Sequence, residues 1–405
     1  MSGQPRAGSG DAGRLRVALG AAACGPGDEP EQSAGWAFAL AAAQEHDVWV
    51  FTRPRLAESM ESALRADTEL AQHVTLIYHD LPAWVQRIRT LPLGIYVYYG
   101  FWQWTLRRVV RRTHDEVGFD VLHHVTFAND WLPTALTAVP DVPLVWGPVG
   151  GATAVPVRRL RRWLGARGAV VETVRGALTG LPRRLWGDRI AARASLVVAQ
   201  NPGVAERFGD SRRVEVEPNA ALEPLAVVDR PHVRRSDDGH LAVFVGRLLA
   251  WKGGRLALAT LAHPRAAGWR LEVFGEGYER PALEALAREL GIDDRVTFHG
   301  HRPRTEVLDA FVRADALLFP SMHDQAGWVA GEASSLGCPV VCLPLGGPAT
   351  LAERNAYVAP LEGDIVANLA EQLGAAAEHG GTPHDRWSRE RLPAVVGRWY
   401  REVAR

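Results

Sequence analysis

Arg247 and Lys252 lie five residues apart in "FVGRLLAWKGG" (244–254), between one glycine and a pair of them. Of the 46 lysine and arginine residues, Lys252 alone is lysine. A glycine turn lets the backbone come close to a ligand. Two cations there suit a diphosphate, arginine as a planar fork and lysine as a compact point charge with rotating donors. A chain that writes every other such charge as arginine then keeps an ammonium where a guanidinium is too wide. Further along, "FPSMHDQAGWVAGEASSLGCPVVCLPLGGP" (319–348) holds two carboxylates eight residues apart: Asp324 in a loop, and Glu332 in a helix that begins near Gly327. Amides at Gly327, Trp328 and Val329 form a free helix N-terminus, which favours an anion. Carboxylates accept from sugar hydroxyls, so the array fits a ribose or hexose joined to a diphosphate. Taken singly, Lys252 reads equally as a surface residue, Glu332 as a solvated helix residue and Asp324 as a helix-start residue.

Two further glycine turns, "FGEGYERP" (274–281) with Gly275 and Gly277 and "FHGHRP" (298–303), follow apolar runs of the same kind. Three strands ending in such turns on one side imply a ligand across their tips. The runs themselves come in two series. The first is 15–19, 47–52, 74–79, 120–125, 142–147 and 195–199; the second is 241–246, 270–275, 295–300, 315–320 and 338–343. Runs this apolar, alternating with helical patterns, predict strands of parallel sheets buried on both faces. "PALEALAREL" (281–290), stopped by Gly291, is one such helix. The reading is α/β: a Gly/Ser-rich tail over 1–13, a first doubly wound unit over 14–226, a charged, aperiodic linker over 227–240 and a second unit over 241–385. Ligands in such sheets bind beyond the carboxyl ends of the strands, and the cleft between two units is the default site.

Composition narrows the classes. Formal net charge is zero, so nothing global favours nucleic acid. Cys24, Cys338 and Cys342 are too few for a disulfide framework, and no acidic or histidine cluster with metal-ligand spacing appears. "RLRVALGAAAC" imitates a lipoprotein signal but has too short an apolar run. "LPLGIYVYYGFWQWTLRRVV" (91–110) carries Gln103 and an arginine flank, so it reads as a buried helix, with interfacial membrane contact as the alternative. A cytoplasmic location follows.

In combination, these motifs resemble the retaining nucleotide-sugar glycosyltransferases of family 4 (glycosyl transferases group 1), which have GT-B architecture. "GRLLAWKGG" is similar to the family's "GRL…KG", "VFGEGYER" to its "G-x-G" turn, "VTFHGHRP" to its "V-x-F-x-G" strand and "DQAGWVAGEASSLGCPVV" to its paired-glutamate segment. "RWSRERLPAVVGRWYREV" resembles the terminal helix that crosses back to the first unit, assigned to 386–405. The first half, with "RVALGAAACGPGDEPEQSAGWAF" and "DVLHHVTFANDWLP", looks like one branch of the family. The resemblance implies two Rossmann-like domains facing a cleft, the second binding the donor and the first the acceptor. It implies that Arg247 and Lys252, after Gly246, hold the donor diphosphate and that Glu332 binds the ribose. Asp324 would face the sugar where the family has glutamate. Main-chain amides at Ala326, Gly327, Trp328 and Val329 would meet sugar or phosphate, and backbone near His301 and Arg302 would meet the base. His123 or His124 would stand near the sugar from the other domain, although this chain writes "HH" for the usual "H-x-H", and "PNAAL" puts Ala220 in place of a glycine.

The implied reaction is metal-independent transfer from a UDP- or GDP-sugar, with no resident cofactor, to an acceptor that includes small-molecule or secondary-metabolite candidates. Three alternatives stay open at this point. One is a membrane-surface enzyme with a lipid or polysaccharide acceptor, served by the basic stretch 158–186. Another is a nucleotide-sugar isomerase or hydrolase. The third is a non-catalytic binder, for which Asp324 is the best support. The sequence carries no signal for oligomeric state.

Overall fold

The computed structural model describes residues 13–27, 29–91, 93–223 and 239–405. Most of the predicted tail and linker, 1–12 and 227–238, therefore lies outside the described residues. The chain forms two parallel sheets. The first contains β1 (Arg16–Ala21), β2 (Asp47–Thr52), β3 (Val74–Tyr78), β4 (Val121–Thr126), β5 (Leu144–Val149), β6 (Leu196–Ala199) and β7 (Val214–Val216), in the order β3-β2-β1-β4-β5-β6-β7. The second contains β8 (His240–Val245), β9 (Trp269–Phe274), β10 (Val296–Gly300), β11 (Ala316–Phe319), β12 (Val340–Cys342) and β13 (Ala356–Val358), in the order β10-β9-β8-β11-β12-β13. Both orders run outward from a central first strand and reverse there, which opens a crevice at the strand carboxyl ends.

Burial explains the strand sequences. β4 and β5 are buried at every position, so their residues alternate between two apolar layers rather than between core and water. One layer of the first sheet takes Leu122, Leu144 and Trp146 with Tyr98, Trp102 and Leu106 of the helix Gly94–Val117. The other takes Val121, Val145 and Val198 with Phe38 of the helix Pro30–Glu45 and Trp399 and Tyr400 of the helix Leu392–Val403. That last helix buries Leu392, Val396, Trp399 and Tyr400, a single helical stripe. It is tied to the first sheet by Trp399 Nε1 donating to Glu215 Oε2 at 2.9 Å.

The aromatic stretch at 91–110 departs from the expectation of a buried helix. Only one face of the helix Gly94–Val117 is buried; Tyr96, Val97, Phe101 and Trp104 are exposed. Aromatic residues occupy both faces, so their density in the sequence did not reveal which face meets the sheet. Among the described residues, no helix is long and apolar enough to cross a membrane.

Candidate donor site at the second sheet

β8 ends at Val245 and the chain turns through Gly246, at φ 149°, into Arg247. The turn is laced to its neighbours: the Gly246 amide donates to Phe274 O at 3.0 Å, the Leu248 amide to Glu276 O at 2.8 Å and the Gly275 amide to Gly300 O at 2.8 Å. A Cβ on Gly275 would collide with the carbonyl of Gly246, and one on Gly277 with the carbonyl of Leu248. Both glycines are therefore required by backbone packed on backbone, whatever ligand lies above them. His301 and Arg302 follow β10 at the rim and are exposed.

Lys252 closes the 3-10 turn Ala250–Lys252. Its ammonium is ion-paired with Asp324 Oδ2, both side chains being 17% exposed, and lies 5.5 Å from the centre of the Phe319 ring. A cation over an aromatic face gains from the ring quadrupole. The Trp251 carbonyl accepts from the Met322 amide at 2.8 Å, which fixes the turn against the loop that carries Asp324. Arg247 is exposed, and its side chain makes no hydrogen bond or ion pair with another described residue. The helix Trp328–Ser335 starts from Gly327 with no side chain capping it. Its first amides, around Trp328 and Val329, thus remain free for an anion, and Ala326 just before them is buried. Glu332, on that helix, accepts from Arg304 Nε at 2.8 Å and keeps 17% of its side chain exposed.

The loop between Asp324 and this helix also reaches the first sheet. Gln325 Oε1 accepts from the Gly151 amide at 2.7 Å, and the Gln325 carbonyl accepts from Asn201 Nδ2 at 2.9 Å. His323 Nδ1 lies 2.9 Å from Glu172 Oε2, on the helix Val157–Pro182. The other Glu172 oxygen accepts from Arg175 at 2.8 Å. Strand tips of the second sheet and loops of the first thus bound one cleft, with Arg247, Lys252, Asp324 and the 328–335 helix on the same wall.

The histidine pair is set differently from the expectation. Successive strand residues point to opposite faces, and both faces of β4 are covered. His123 Nδ1 lies 2.6 Å from Tyr400 Oη and its Nε2 lies 2.9 Å from the Gly147 carbonyl oxygen. His124 lies 3.1 Å from Thr134 Oγ1 and 3.3 Å from Tyr99 Oη. Both rings are buried, and desolvation drives the pKa of His123 down to about 3 and that of His124 to about 4. With both nitrogens engaged in the core, neither ring is open to solvent at the strand tips. Ala220 is likewise sealed, against Phe319 and Ala330.

Sequence reasoning missed Arg304, Gln325 and Glu172. Arg304 and Gln325 carry no local signal, because their partners are 28 and 174 residues away. Glu172 had one: it is the single acid between Asp141 and Asp188, placed at helical spacing from the core residues Leu164 and Gly168.

Comparison with known proteins agrees with this geometry. Residues 239–379 match the family model described as Glycosyl transferases group 1. The 2-deoxystreptamine glucosyltransferase of Streptomyces kanamyceticus is 34% identical over 174 residues, 40% of this chain and 45% of that protein. The chain spans about half the length of the curated relatives it matches. Sucrose-phosphate synthase from Thermosynechococcus elongatus superposes with a TM-score of 0.57 at 18% identity, covering 96% of this chain and 99% of that one. HepE from Anabaena, in complex with UDP and glucose, does so with a TM-score of 0.51 at 16% identity over 96% and 100%. The chain therefore has the GT-B fold, and its residues 239–379 match the family model of the glycosyl transferases group 1.

Proposed function

We propose that the protein is a retaining glycosyltransferase. It moves a sugar from a uridine or guanosine diphosphate sugar to a hydroxylated acceptor, with no metal ion and no resident cofactor. The observation that carries this reading is the half-buried Lys252–Asp324 pair, with Arg247, which has no partner among the described residues, and an uncapped helix N-terminus on the same wall. In transfer, the acceptor oxygen bonds to the anomeric carbon as the bond from that carbon to the diphosphate oxygen breaks on the same face. The hydroxyl proton passes to the departing diphosphate. Arg247 and Lys252 neutralise the charge that grows there, the work a divalent ion would otherwise do. No histidine base is needed in this scheme, in keeping with the sealed His123 and His124.

Asp324 holds the lysine in this account. Its carboxylate, one methylene shorter than the glutamate of the resembling family, is committed to the ammonium and fixes it under the diphosphate. Glu332, steadied by Arg304, takes the ribose hydroxyls. The rim at His301 and Arg302 takes the base, and the acceptor lies on the first unit, 14–226. The name of the Streptomyces kanamyceticus relative supports a small polyhydroxylated acceptor, and the UDP in the HepE complex supports a uridine donor. Buried thiols at Cys24, Cys338 and Cys342, all free, support a cytoplasmic location.

The test is incubation with UDP- and GDP-sugars, with and without 2-deoxystreptamine and related cyclitols, in EDTA. Release of nucleoside diphosphate that depends on acceptor supports transfer. An altered sugar from donor alone, or a strict requirement for a divalent ion, overturns the scheme.

A further inference from the structure

Two helices of the first unit carry apolar faces that no other described residue covers. On the helix Val157–Pro182 and the turn after it, Val170, Val174, Leu178, Leu181 and Leu185 recur at spacings of three and four, one stripe of a helix, and all are exposed. The opposite side of that helix is buried through Leu164, Gly168, Glu172 and Thr179, so the stripe is a second, outward-facing apolar surface. On the helix Gly94–Val117, Val97, Phe101 and Trp104 form a matching outward row; Trp104 is 62% exposed. The second row, with Val97, Phe101 and Trp104, lines a groove of about 490 Å³ whose other wall comes from Trp131 and from Pro182 and Trp186 at the end of the first helix, beside the stripe from Val170 to Leu185 rather than within it. Scattered single apolar residues on a surface are ordinary, whereas contiguous patches of this kind mark an interaction surface.

Charge identifies the occupant. Residues 83–112 contain six arginines and no acidic residue, and residues 157–187 contain eight arginines against Glu172 alone, in a chain whose formal net charge is zero. The exposed row of Phe101 and Trp104 runs on along the same helix into exposed Arg107, Arg108, Arg111 and Arg112. Arg112 pairs with Glu116 and Arg111 donates to the Ala138 carbonyl, while Arg107 and Arg108 are exposed and make no ion pair with another described residue; a second copy set on this face would oppose arginine to arginine. An apolar face that inserts to a shallow depth, flanked by arginines that meet phosphates, fits a bilayer carrying anionic headgroups.

We infer that this face, formed by the 94–117 and 157–182 helices, docks the protein peripherally on an anionic phospholipid bilayer. The inference is independent of the transfer reaction, because none of its residues is placed in the donor site. It is tested by co-sedimentation of the full chain with vesicles of phosphatidylcholine containing phosphatidylglycerol, against vesicles of phosphatidylcholine alone. The expected result is pelleting with the anionic vesicles, little with the neutral ones, and release as salt rises past the range in which surface charges are screened. A Phe101→Ser/Trp104→Ser variant and an Arg107→Glu/Arg108→Glu variant should each bind at least tenfold more weakly, with unchanged melting temperature. Should the apolar variant misfold, the arginine variant decides alone. Absence of pelleting, equal binding to neutral vesicles, or wild-type binding by the arginine variant overturns the inference. A concentration-dependent dimer in sedimentation velocity that Trp104→Ser dissolves also overturns it, in favour of a second copy as occupant.

Discussion

β4 of the first sheet and β11 of the second occupy the same place in their strand orders, next to the central strand. Polar chemistry follows both, in opposite states. At β4, His123 and His124 are wholly enclosed and their nitrogens are satisfied by Tyr400, Gly147, Thr134 and Tyr99. Beyond β11, Asp324 keeps part of its surface open and is paired with Lys252 across the loop. Burial decides which can act. A group that exchanges a protein partner for a ligand must keep a path to solvent. A buried polar group must find all its partners within the protein or lose stability. The two units thus share topology while the first uses its strand-end polar residues for cohesion and the second leaves them partly open, as the proposed donor site requires.

The comparison is broken most directly at Lys252. Lys252→Ala should lower the rate of donor turnover by roughly 10²-fold or more, the size expected for losing one electrostatic contact to a developing charge. Lys252→Arg should also be badly impaired, because the ammonium is confined between Asp324 and the Phe319 ring and a guanidinium is wider and planar. Single-turnover kinetics with a paired melting curve checks both, and a wild-type rate for Lys252→Arg would remove the special role of the lone lysine. On the same wall, Glu332→Gln should weaken nucleoside diphosphate binding by about 1–3 kcal/mol, the range for a hydrogen bond to a charged group. Calorimetry reads it, and unchanged affinity would count against the ribose contact.

The first sheet gives a different signature. Its histidines are depressed below their ordinary value, to about 3 and about 4, so the unfolded chain takes up the protons first. Stability is full above about pH 6.5 and falls as the pH drops from there toward 4, by about 2 kcal/mol at pH 5 for each ring. A melting temperature that is flat between pH 7 and pH 5 would contradict the sealed state of the pair. The smallest effect is expected at the contact across the cleft. Gln325→Ala removes an acceptor from the Gly151 amide and should cost about 1 kcal/mol of stability. A loss several times larger would mean that this loop, more than its hydrogen bond, holds the units together.

The strands were legible because continuous apolar runs leave few alternatives. The two missed ones, β7 (Val214–Val216) and β13 (Ala356–Val358), are three-residue edge strands with too little pattern to stand out. The second unit's site was legible as a set of glycine turns and charges. What no spacing could tell is whether a glycine faces a ligand or another backbone; at Gly275 and Gly277 it faces the backbone of residues 246–248. Pairing was also hidden: nothing near Glu332 in the chain points to Arg304. The fate of His123 and His124 was within reach. Adjacent residues in a strand with apolar neighbours on both sides go to opposite faces, and here both faces are core. Exposure of the aromatic 94–117 helix was not within reach, because both of its faces are written in apolar residues.

The central claim is that the second sheet's strand tips bind a nucleoside diphosphate through side-chain cations rather than through a metal ion. Titration calorimetry of UDP and GDP in EDTA, on the wild type and on Arg247→Ala, addresses it without knowledge of sugar or acceptor. Arg247 has no side-chain partner among the described residues, so its removal should cost binding and leave the melting temperature of the free protein unchanged. The account predicts saturable one-to-one binding of at least one of the two nucleotides, weakened tenfold or more in Arg247→Ala. No binding of either nucleotide, or equal affinity in the variant, would contradict it.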